Sequence, residues 1–308
     1  MRSHHSHSGD YILHAKDHLE DIVREVIARG FKSYCLTEHI PRNNPADLYP
    51  EEKHLQISDL ESNFDRFYHH ARQLQYQYAD QITLLVGCET DYIRPDFRFL
   101  IANLRSKYKF DMIVGSVHHV KEIPIDFDVS TWELAMRKCG AGTPRDLYAA
   151  YFDEQYDMLV DLKPPVVGHF DLIRLFSVED SEQPISQWPE VLQRVERNLE
   201  FIIGYGGLIE LNSAAIRKGW SEPYPRADIC KMVLEKGGQF CLSDDSHGIA
   251  QIGLNFHKTL KQMDKLGITE LSYIDLENGG TVIRKEIVAA IKADPFWNQY
   301  AQNDMTRY

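Results

Sequence analysis

Long apolar runs and paired cysteines are both missing from this sequence. No apolar segment approaches the ~18 residues that a membrane-spanning helix requires, so we expect no integral membrane protein. The N-terminus has no apolar signal core, and we expect no cleaved leader. The five cysteines are odd in number and show no C-x-x-C spacing. That usage is typical of reduced thiols in the core of a cytoplasmic protein.

Positive charge is also scarce. Lysine and arginine number 34 against 46 aspartate and glutamate residues, which gives a net charge of −12, and the basic residues form no dense cluster. A protein that binds nucleic acid usually has a basic face that neutralises phosphates, so we expect no nucleic-acid partner. A small phosphate ester is compatible with the acidic balance, because metal ions can supply positive charge locally.

Apolar periodicity predicts alternating strands and helices. No internal repeat or low-complexity linker interrupts the 308 residues, so we predict a single domain over 1–308. The site motifs lie in 1–250, and 251–308 would form closing helices and a C-terminal tail. A long loop is predicted over 121–144. The predicted strands cover 32–37, 82–87, 110–117, 166–168, 208–212, 239–244 and 268–275. The predicted helices cover 16–29, 58–78, 95–107, 145–162, 188–205, 225–236, 253–266 and about 285–291.

Chemically active side chains follow most of the predicted strands. Residues at the carboxyl ends of successive parallel strands meet on one face of a sheet or barrel. The pattern therefore predicts one pocket at the mouth of an α/β barrel. The side chains concerned are His5, His7, Glu38, His39, Glu89, His118, His169, Arg217, Asp245 and His247.

The residue types at these positions predict a site for several metal ions, because His, Asp and Glu bind divalent metals. Adjacent residues of a strand point to opposite faces, so only one of His118 and His119, and one of Glu38 and His39, should face the pocket. A closed zinc site uses four ligands. A larger set indicates two or three divalent ions, for which Zn, Fe or Mn are suitable. The nine potential ligands are His5, His7, His14, His39, Glu89, His118, His169, Asp245 and His247.

Seven motifs give the chain a resemblance to a known family. In order they are HSHSG (5–9), TEHIPR (37–42), VGCETDY (86–92), GSVHHV (115–120), GHFDLIR (168–174), ELNSAAIRKG (210–219) and SDDSH (243–247). They resemble the PHP superfamily, named for polymerase and histidinol phosphatase. Within it, they are most similar to the monofunctional histidinol-phosphate phosphatases. The motifs run in the family's order through most of the chain.

The resemblance implies a fold, a reaction and a set of residue roles. The fold would be a distorted (β/α)7 barrel with a trinuclear metal site, formed by the nine ligands above at the C-terminal ends of the strands. The reaction would be hydrolysis of L-histidinol phosphate to L-histidinol and inorganic phosphate, a step of histidine biosynthesis. Arg174 and Arg217 would hold the phosphate, and together with Glu89 and Asp245 they would form the catalytic set.

The chemistry of monoester hydrolysis adds further expectations. A metal-bound water has a lowered pKa, so we expect hydroxide to attack phosphorus directly, without a phosphoenzyme. Glu89 is expected to bridge two ions, because an anionic oxygen ligand screens two cations from one another. His119 and Asp171 are candidates to contact the substrate and to protonate the leaving group. Glu122 and Asp126 are candidates to contact the amine of L-histidinol.

Other interpretations stay open at this point. The chain could act on another small phosphate ester such as a mononucleotide, hold metal without catalysis, or hydrolyse an amide. Arg174 and Arg217 favour a phosphate, since a planar guanidinium can donate two hydrogen bonds to it. Arg174 could instead form a salt bridge with Asp171, one helical turn away. The sequence leaves the oligomeric state open.

Overall fold

A computed structural model describes residues 1–177 and 183–297. Its centre is a seven-stranded parallel sheet in the order β1-β2-β3-β4-β7-β8-β9. These strands are β1 (Arg2–Ser3), β2 (Ser33–Leu36), β3 (Thr83–Asp91), β4 (Met112–Ser116), β7 (Val166–Val167), β8 (Leu208–Asn212) and β9 (Gln239–Ser243). Two antiparallel pairs lie outside the sheet, β5 (His119–Val120) with β6 (Ile123–Pro124) and β10 (Glu270–Glu277) with β11 (Gly280–Ile287).

The first and last strands of the sheet approach one another and nearly close it into a barrel. The His4 amide donates to the Leu242 carbonyl at 3.2 Å, and the His7 amide donates to the Ser246 carbonyl at 2.8 Å. This closure confirms the predicted (β/α)7 barrel.

Helices cover the outside of the barrel, as expected when parallel strands are joined by helical crossovers. Most of them match the predicted helices to within a few residues. Their bounds are α1 (Leu19–Ala28), α2 (Ile57–Gln77), α3 (Phe97–Lys107), α4 (Val129–Arg137), α5 (Pro144–Leu162), α6 (Pro189–Tyr205), α7 (Ala214–Arg217), α8 (Ala227–Glu235), α9 (Phe256–Leu266) and α10 (Val288–Lys292). Among the residues described, none of the helices is both long and apolar enough to cross a lipid bilayer.

The short helix α7 was not among the predicted helices, and two longer stretches also differ from the prediction. The loop expected over 121–144 contains β6 and α4, and the Asp128 side chain caps α4 by accepting from the Thr131 amide at 2.7 Å. The strand expected over 268–275 is β10, and it pairs with β11 in a hairpin instead of joining the barrel. Because β11 extends to Ile287, the last helix begins at Val288 and not near residue 285. The tail beyond residue 297 lies outside the described residues.

Strand alternation divides the apolar core into two parts. One side of each strand packs against the helices, and the other fills the barrel interior. The interior cluster consists of Cys35, Leu85, Met112, Val114, Val166, Leu208, Cys241 and Ile274. Seven of these eight side chains come from barrel strands, and Ile274 comes from the hairpin. The hairpin therefore covers the end of the barrel opposite the site.

His4 fixes this hairpin to the barrel. Its Nδ1 lies 2.9 Å from the Leu242 carbonyl, and its Nε2 accepts the Ile274 amide at 3.2 Å. Burial lowers the pKa of His4 to about 4, so the ring is neutral at neutral pH. A neutral ring with its proton on Nδ1 satisfies both hydrogen bonds, because it donates through one nitrogen and accepts through the other.

The position of Ile274 predicts a large effect on stability. We expect Ile274→Ala to lower the free energy of unfolding by about 2–5 kcal/mol, because it opens a cavity in the barrel interior. Ile283, which pairs directly with Ile274 across the hairpin but is 45% exposed, provides the control. Ile283→Ala should cost within about 0.5 kcal/mol. Urea unfolding of both variants measures the difference, and equal losses would contradict this role of Ile274.

Candidate metal centre

The carboxyl ends of the barrel strands bring eight of the nine predicted ligands into one cluster. They come from six of the seven barrel strands, and each lies inside a strand or within a few residues of its end. All eight also occur in overlapping groups whose ligand atoms lie within 4.8 Å of one another. The groups are His7, His39 and His247; His5, His7 and Asp245; His39, Asp91 and His118; and Glu89, His118 and His169.

The Glu89 carboxylate lies at the centre of this cluster and is 1% exposed. One of its oxygens, Oε2, lies 3.1 Å from His5 Nε2 and 3.3 Å from His7 Nε2. The same oxygen lies 3.2 Å from His39 Nδ1. Three imidazoles therefore surround a single carboxylate oxygen.

The other oxygen of Glu89, Oε1, faces a second set of rings. It lies 3.2 Å from His118 Nε2 and 2.9 Å from His169 Nε2. The carboxylate thus stands between two groups of nitrogen donors, one on each oxygen. A bidentate carboxylate in this position has the geometry to be shared between ions.

Asp245 completes the side of the cluster formed by His5 and His7. Its Oδ1 lies 3.8 Å from His5 Nε2, 3.5 Å from His7 Nε2 and 3.6 Å from His247 Nδ1. The backbone of Asp245 has a φ of 47°, in the left-handed region that residues other than glycine rarely adopt. This turn directs the carboxylate back toward the histidines directly after β9.

The donor set suits divalent cations. Imidazole nitrogens and carboxylate oxygens are ligands for Zn, Fe and Mn. His5 Nε2 and His7 Nε2 lie 3.1 Å apart, and His118 Nε2 and His169 Nε2 lie 3.2 Å apart, so the rings direct nitrogens at shared points. Such convergence of buried nitrogens is costly unless a proton or a cation lies between them. The residues therefore fit bound divalent metal ions.

A second layer of carboxylates orients the histidines. Sequence reasoning listed Glu38 among the pocket side chains but missed Glu210. Glu210 lies 3.3 Å from His5 Nδ1 and accepts the His169 amide at 2.6 Å. Glu38 lies 3.4 Å from His7 Nδ1. Metal-binding histidines commonly direct their second nitrogen at a carboxylate, which fixes the ring and its tautomer.

Asp91 contacts two rings. It lies 3.1 Å from His39 Nδ1 and 2.8 Å from His118 Nδ1, and it accepts from Arg42 at 2.7 Å. At His118 it faces the nitrogen opposite the one that faces Glu89, whereas at His39 it lies beside Nδ1, the same nitrogen that faces Glu89. Asp91 is two residues beyond Glu89, so the strand places both carboxylates on one face. That spacing is a signal that sequence reasoning could have used.

The expectation that one residue of each adjacent pair faces the pocket agrees with these positions. His39 lies in the cluster, whereas Glu38 lies behind it and also accepts from the Ser8 amide at 2.7 Å. His118 contacts Glu89, whereas the buried His119 ring lies 5.5 Å from the ring of Tyr49. Burial lowers the pKa of His119 to about 3, so His119 is neutral at neutral pH.

His14 is the one predicted ligand that stands apart from the groups. Its ring lies 5.1 Å from that of His247 and 5.5 Å from that of His39, and its Nδ1 lies 3.8 Å from Glu51. The side chain is 41% exposed. His14 therefore lies at the rim of the site, and its role as a ligand stays a prediction.

The two predicted phosphate-binding arginines have different surroundings. Arg217 lines the cavity above the cluster, and it donates to the Asp244 carbonyl at 3.3 Å and the Asp245 carbonyl at 3.1 Å. Arg174 is 1% exposed, donates to the Pro223 carbonyl at 3.0 Å, and lies 3.4 Å from Asp171. The salt bridge considered as the alternative role of Arg174 is therefore formed. Its contact with phosphate stays a prediction, as does a substrate role for Asp171, which accepts from a backbone amide at 2.9 Å.

A cavity of about 340 Å³ opens above the histidines. Its wall combines imidazoles, carboxylates, aromatic rings and two basic side chains. The lining residues are His14, His39, Tyr49, Glu51, Glu89, His118, Asp126, Phe127, His169, Leu172, Arg217, Lys218, Asp245, His247 and Gln251. The volume is that of a small-molecule site.

Charges within the cluster stabilise one another strongly. Burial opposes ionisation of Glu89, but the His5 and His118 imidazoles outweigh burial and hold the pKa of its carboxyl well below its usual value. Burial likewise opposes a charge on His5 and His118, yet Glu89 raises the pKa of both rings well above its usual value. The Asp245 and Glu38 carboxylates overcome burial at His7 and raise its pKa to about 10.

The barrel and its central cluster define a protein of the α/β-barrel class that binds divalent metals at the strand ends. The sequence profile described as PHP domain matches residues 3–214. The chain therefore belongs to the PHP domain family.

Two fungal proteins are similar to almost the whole chain. A Schizosaccharomyces pombe protein named "Probable histidinol-phosphatase" is 44% identical over 300 residues, which are 97% of this chain and 96% of that protein. The histidinol-phosphatase of Saccharomyces cerevisiae is 40% identical over 337 residues, covering 96% of this chain and 99% of that protein. A crystal structure of histidinol phosphate phosphatase from Lactococcus lactis, complexed with zinc, L-histidinol and phosphate, has a TM-score of 0.68 at 19% identity. It covers 91% of this chain and 98% of that chain, and its likeness concerns the fold.

The raised pKa values predict that metal binding releases protons. Without ions, His7 is protonated below pH 10 or so, and a ring must lose its proton before it can bind a metal. Zinc added to the metal-free protein at pH 7 in a weakly buffered solution should release roughly one proton or more per ion. Affinity should rise between pH 6 and pH 9, because protons compete less. Binding without proton release would contradict the assignment of these rings as ligands.

Proposed function

We propose that this protein hydrolyses L-histidinol phosphate to L-histidinol and inorganic phosphate, using bound divalent ions, as a step of histidine biosynthesis. The observation that carries the proposal is 40% identity to a histidinol-phosphatase across 96% of the chain. The cluster around Glu89 and the adjacent basic side chain of Arg217 supply the chemistry that such a reaction needs. A cytoplasmic location is part of the proposal, and five buried cysteines without disulfides agree with it.

Two or three ions are proposed, with zinc as the first metal to test and iron or manganese as alternatives for the same donors. Divalent ions bound here would lower the pKa of a water molecule and neutralise charge on phosphoryl oxygens. The nine ligands predicted from the sequence are proposed to hold them, with His14 at the rim. Glu89 is proposed to be shared, because each of its oxygens faces a separate group of imidazoles.

Arg217 is proposed to bind the phosphate. Two backbone carbonyls, of Asp244 and Asp245, accept hydrogen bonds from its guanidinium and hold it at the cavity wall. A guanidinium has five N–H donors, so others can reach a phosphoryl oxygen. Lys218 also lines the cavity and adds a second positive charge. These cations suit a dianionic monoester better than a neutral amide.

Direct attack by water is proposed, without a covalent intermediate on the protein. No serine or cysteine is among the cavity-lining residues in the described part of the chain. The leaving alkoxide needs a proton or a cation. His119 and Asp171 are both buried close to the site without lining the cavity, so their candidacy as donors stays a prediction.

A phosphate-release screen tests the proposed function. We expect the protein to hydrolyse L-histidinol phosphate with a kcat/KM at least ~100-fold above that for mononucleotides and sugar phosphates. Chelation should abolish activity, and zinc or manganese should restore it. A preference for a mononucleotide, or activity that survives exhaustive chelation, would contradict the proposal.

Arg217→Ala serves as a companion variant in the same screen. It should raise KM for every phosphate ester by roughly 10-fold or more, since a hydrogen bond to a charged group is lost, while metal content stays at the wild-type level. Arg284→Ala, an exposed change on the distant hairpin, provides the control. An unchanged KM in Arg217→Ala would mean that Arg217 only supports the fold.

A further inference from the structure

Part of the cavity wall consists of aromatic rings and carboxylates that have no role in the proposed binding of phosphate and metal. Tyr49 and Phe127 line it with ring centroids 6.2 Å apart, and the carboxylates of Glu51 and Asp126 line the same cavity. Phe127 is 39% exposed, although it is a large apolar side chain. Carboxylates beside aromatic rings repel phosphate but suit a flat, cationic group.

Tyr49 is held rigidly in this wall. The Tyr49 amide donates to Glu52 at 3.0 Å, and the Arg42 guanidinium lies over the Tyr49 ring at 5.1 Å. Arg42 is itself buried between Glu52 and Asp91. Since Asp91 also orients His39 and His118, one network fixes both the wall and the cluster. A wall fixed before binding loses little conformational entropy when a ligand enters.

Asp126 offers an acceptor to a ligand in the cavity. Its Oδ1 is buried and has no hydrogen-bond partner among the described residues, which is costly for a carboxylate oxygen unless a donor arrives. Burial and the nearby Asp126 carboxylate raise the pKa of the Tyr49 phenol well above its usual value. Tyr49 therefore stays protonated beside this carboxylate.

We propose that Asp126, Tyr49 and Phe127 form a head-group subsite, in which the carboxylate binds a cationic nitrogen of the alcohol and the rings hold its flat portion. The inference rests on the proposed function and deepens it, because it names the residues that select the alcohol. The substrate class is a phosphate monoester of a cationic, ring-bearing alcohol. The ammonium and imidazole of L-histidinol meet both requirements. A mononucleotide has a flat ring but no cation for Asp126.

The test compares two esters in Asp126→Asn. One is L-histidinol phosphate, and the other is 4-nitrophenyl phosphate, which has a flat ring and no cation. We expect the ratio of kcat/KM for the first over the second to fall about 10-fold or more, in keeping with a lost charge-assisted hydrogen bond. The inhibition constant of L-histidinol should rise by a similar factor relative to that of inorganic phosphate.

Two further variants sharpen the result. Phe127→Leu should weaken inhibition by L-histidinol more than inhibition by phosphate. Glu133→Gln removes an exposed charge from α4, outside the cavity, and should leave both ratios at their wild-type values. Metal content should be equal in all variants, which separates a head-group effect from damage to the cluster.

Each outcome decides the proposal. If the ratio of kcat/KM for the two esters stays constant in Asp126→Asn, the head-group subsite is overturned. The proposed function would still stand in that case, provided that the wild-type protein hydrolyses L-histidinol phosphate. A wild-type protein that cleaves 4-nitrophenyl phosphate but not L-histidinol phosphate would instead refute the proposed function, and the subsite with it.

Discussion

The negative charge of a carboxylate buried in a protein interior must be stabilised by neighbouring groups. At Glu89 this requirement determines the arrangement of the whole centre. The side chain is 1% exposed, so water cannot stabilise its charge. Imidazoles from separate strand ends surround it instead, and each oxygen faces its own group of rings. These rings can reach one carboxylate only if the strands converge on it, which a nearly closed barrel achieves. The five rings in contact with Glu89 are His5, His7, His39, His118 and His169.

The surrounding structure holds this arrangement from two sides. Outer carboxylates fix the far nitrogen of several rings, as Glu210 does for His5 and Asp91 does for His118. At the opposite end of the barrel, His4 ties the first strand to the hairpin through Ile274. Closure of the barrel at its first strand therefore positions His5 and His7, which follow it directly in the chain. Rigid placement of ligands in this way favours metal binding over rearrangement.

Much of this centre could be predicted from the sequence, because strand-end positions converge whatever the details of packing. Glu89 and His169 each follow or end an apolar run, and that pattern alone placed them in one pocket. The outer carboxylates were harder to find. Asp91 and Glu210 lie within apolar strands, where a carboxylate can equally well form an ion pair unrelated to a site. Only the observed contacts with imidazoles distinguish these possibilities.

The elements of the fold that the sequence did not predict were missed for a different reason. The hairpin of β10 and β11 is largely exposed along β11, so its apolar pattern is weak, and local periodicity cannot report which strand it pairs with. The helix α4 is short and depends on the cap at Asp128. The contacts of Arg174 likewise could not be predicted from local sequence. Its motif suggested phosphate binding, and its observed partners are decided by the tertiary packing of Trp220 and Glu222 around it.

Metal stoichiometry of Glu89→Gln tests the central claim most directly. The change keeps the shape of the side chain but removes its charge and one of its two acceptor oxygens. Elemental analysis of the zinc-loaded wild-type protein should give two or three ions per chain, and Glu89→Gln should retain at least one ion fewer, with circular dichroism unchanged. An equal ion content in both proteins, or a wild-type protein that binds no zinc, would contradict the account of Glu89 as a carboxylate shared between ions.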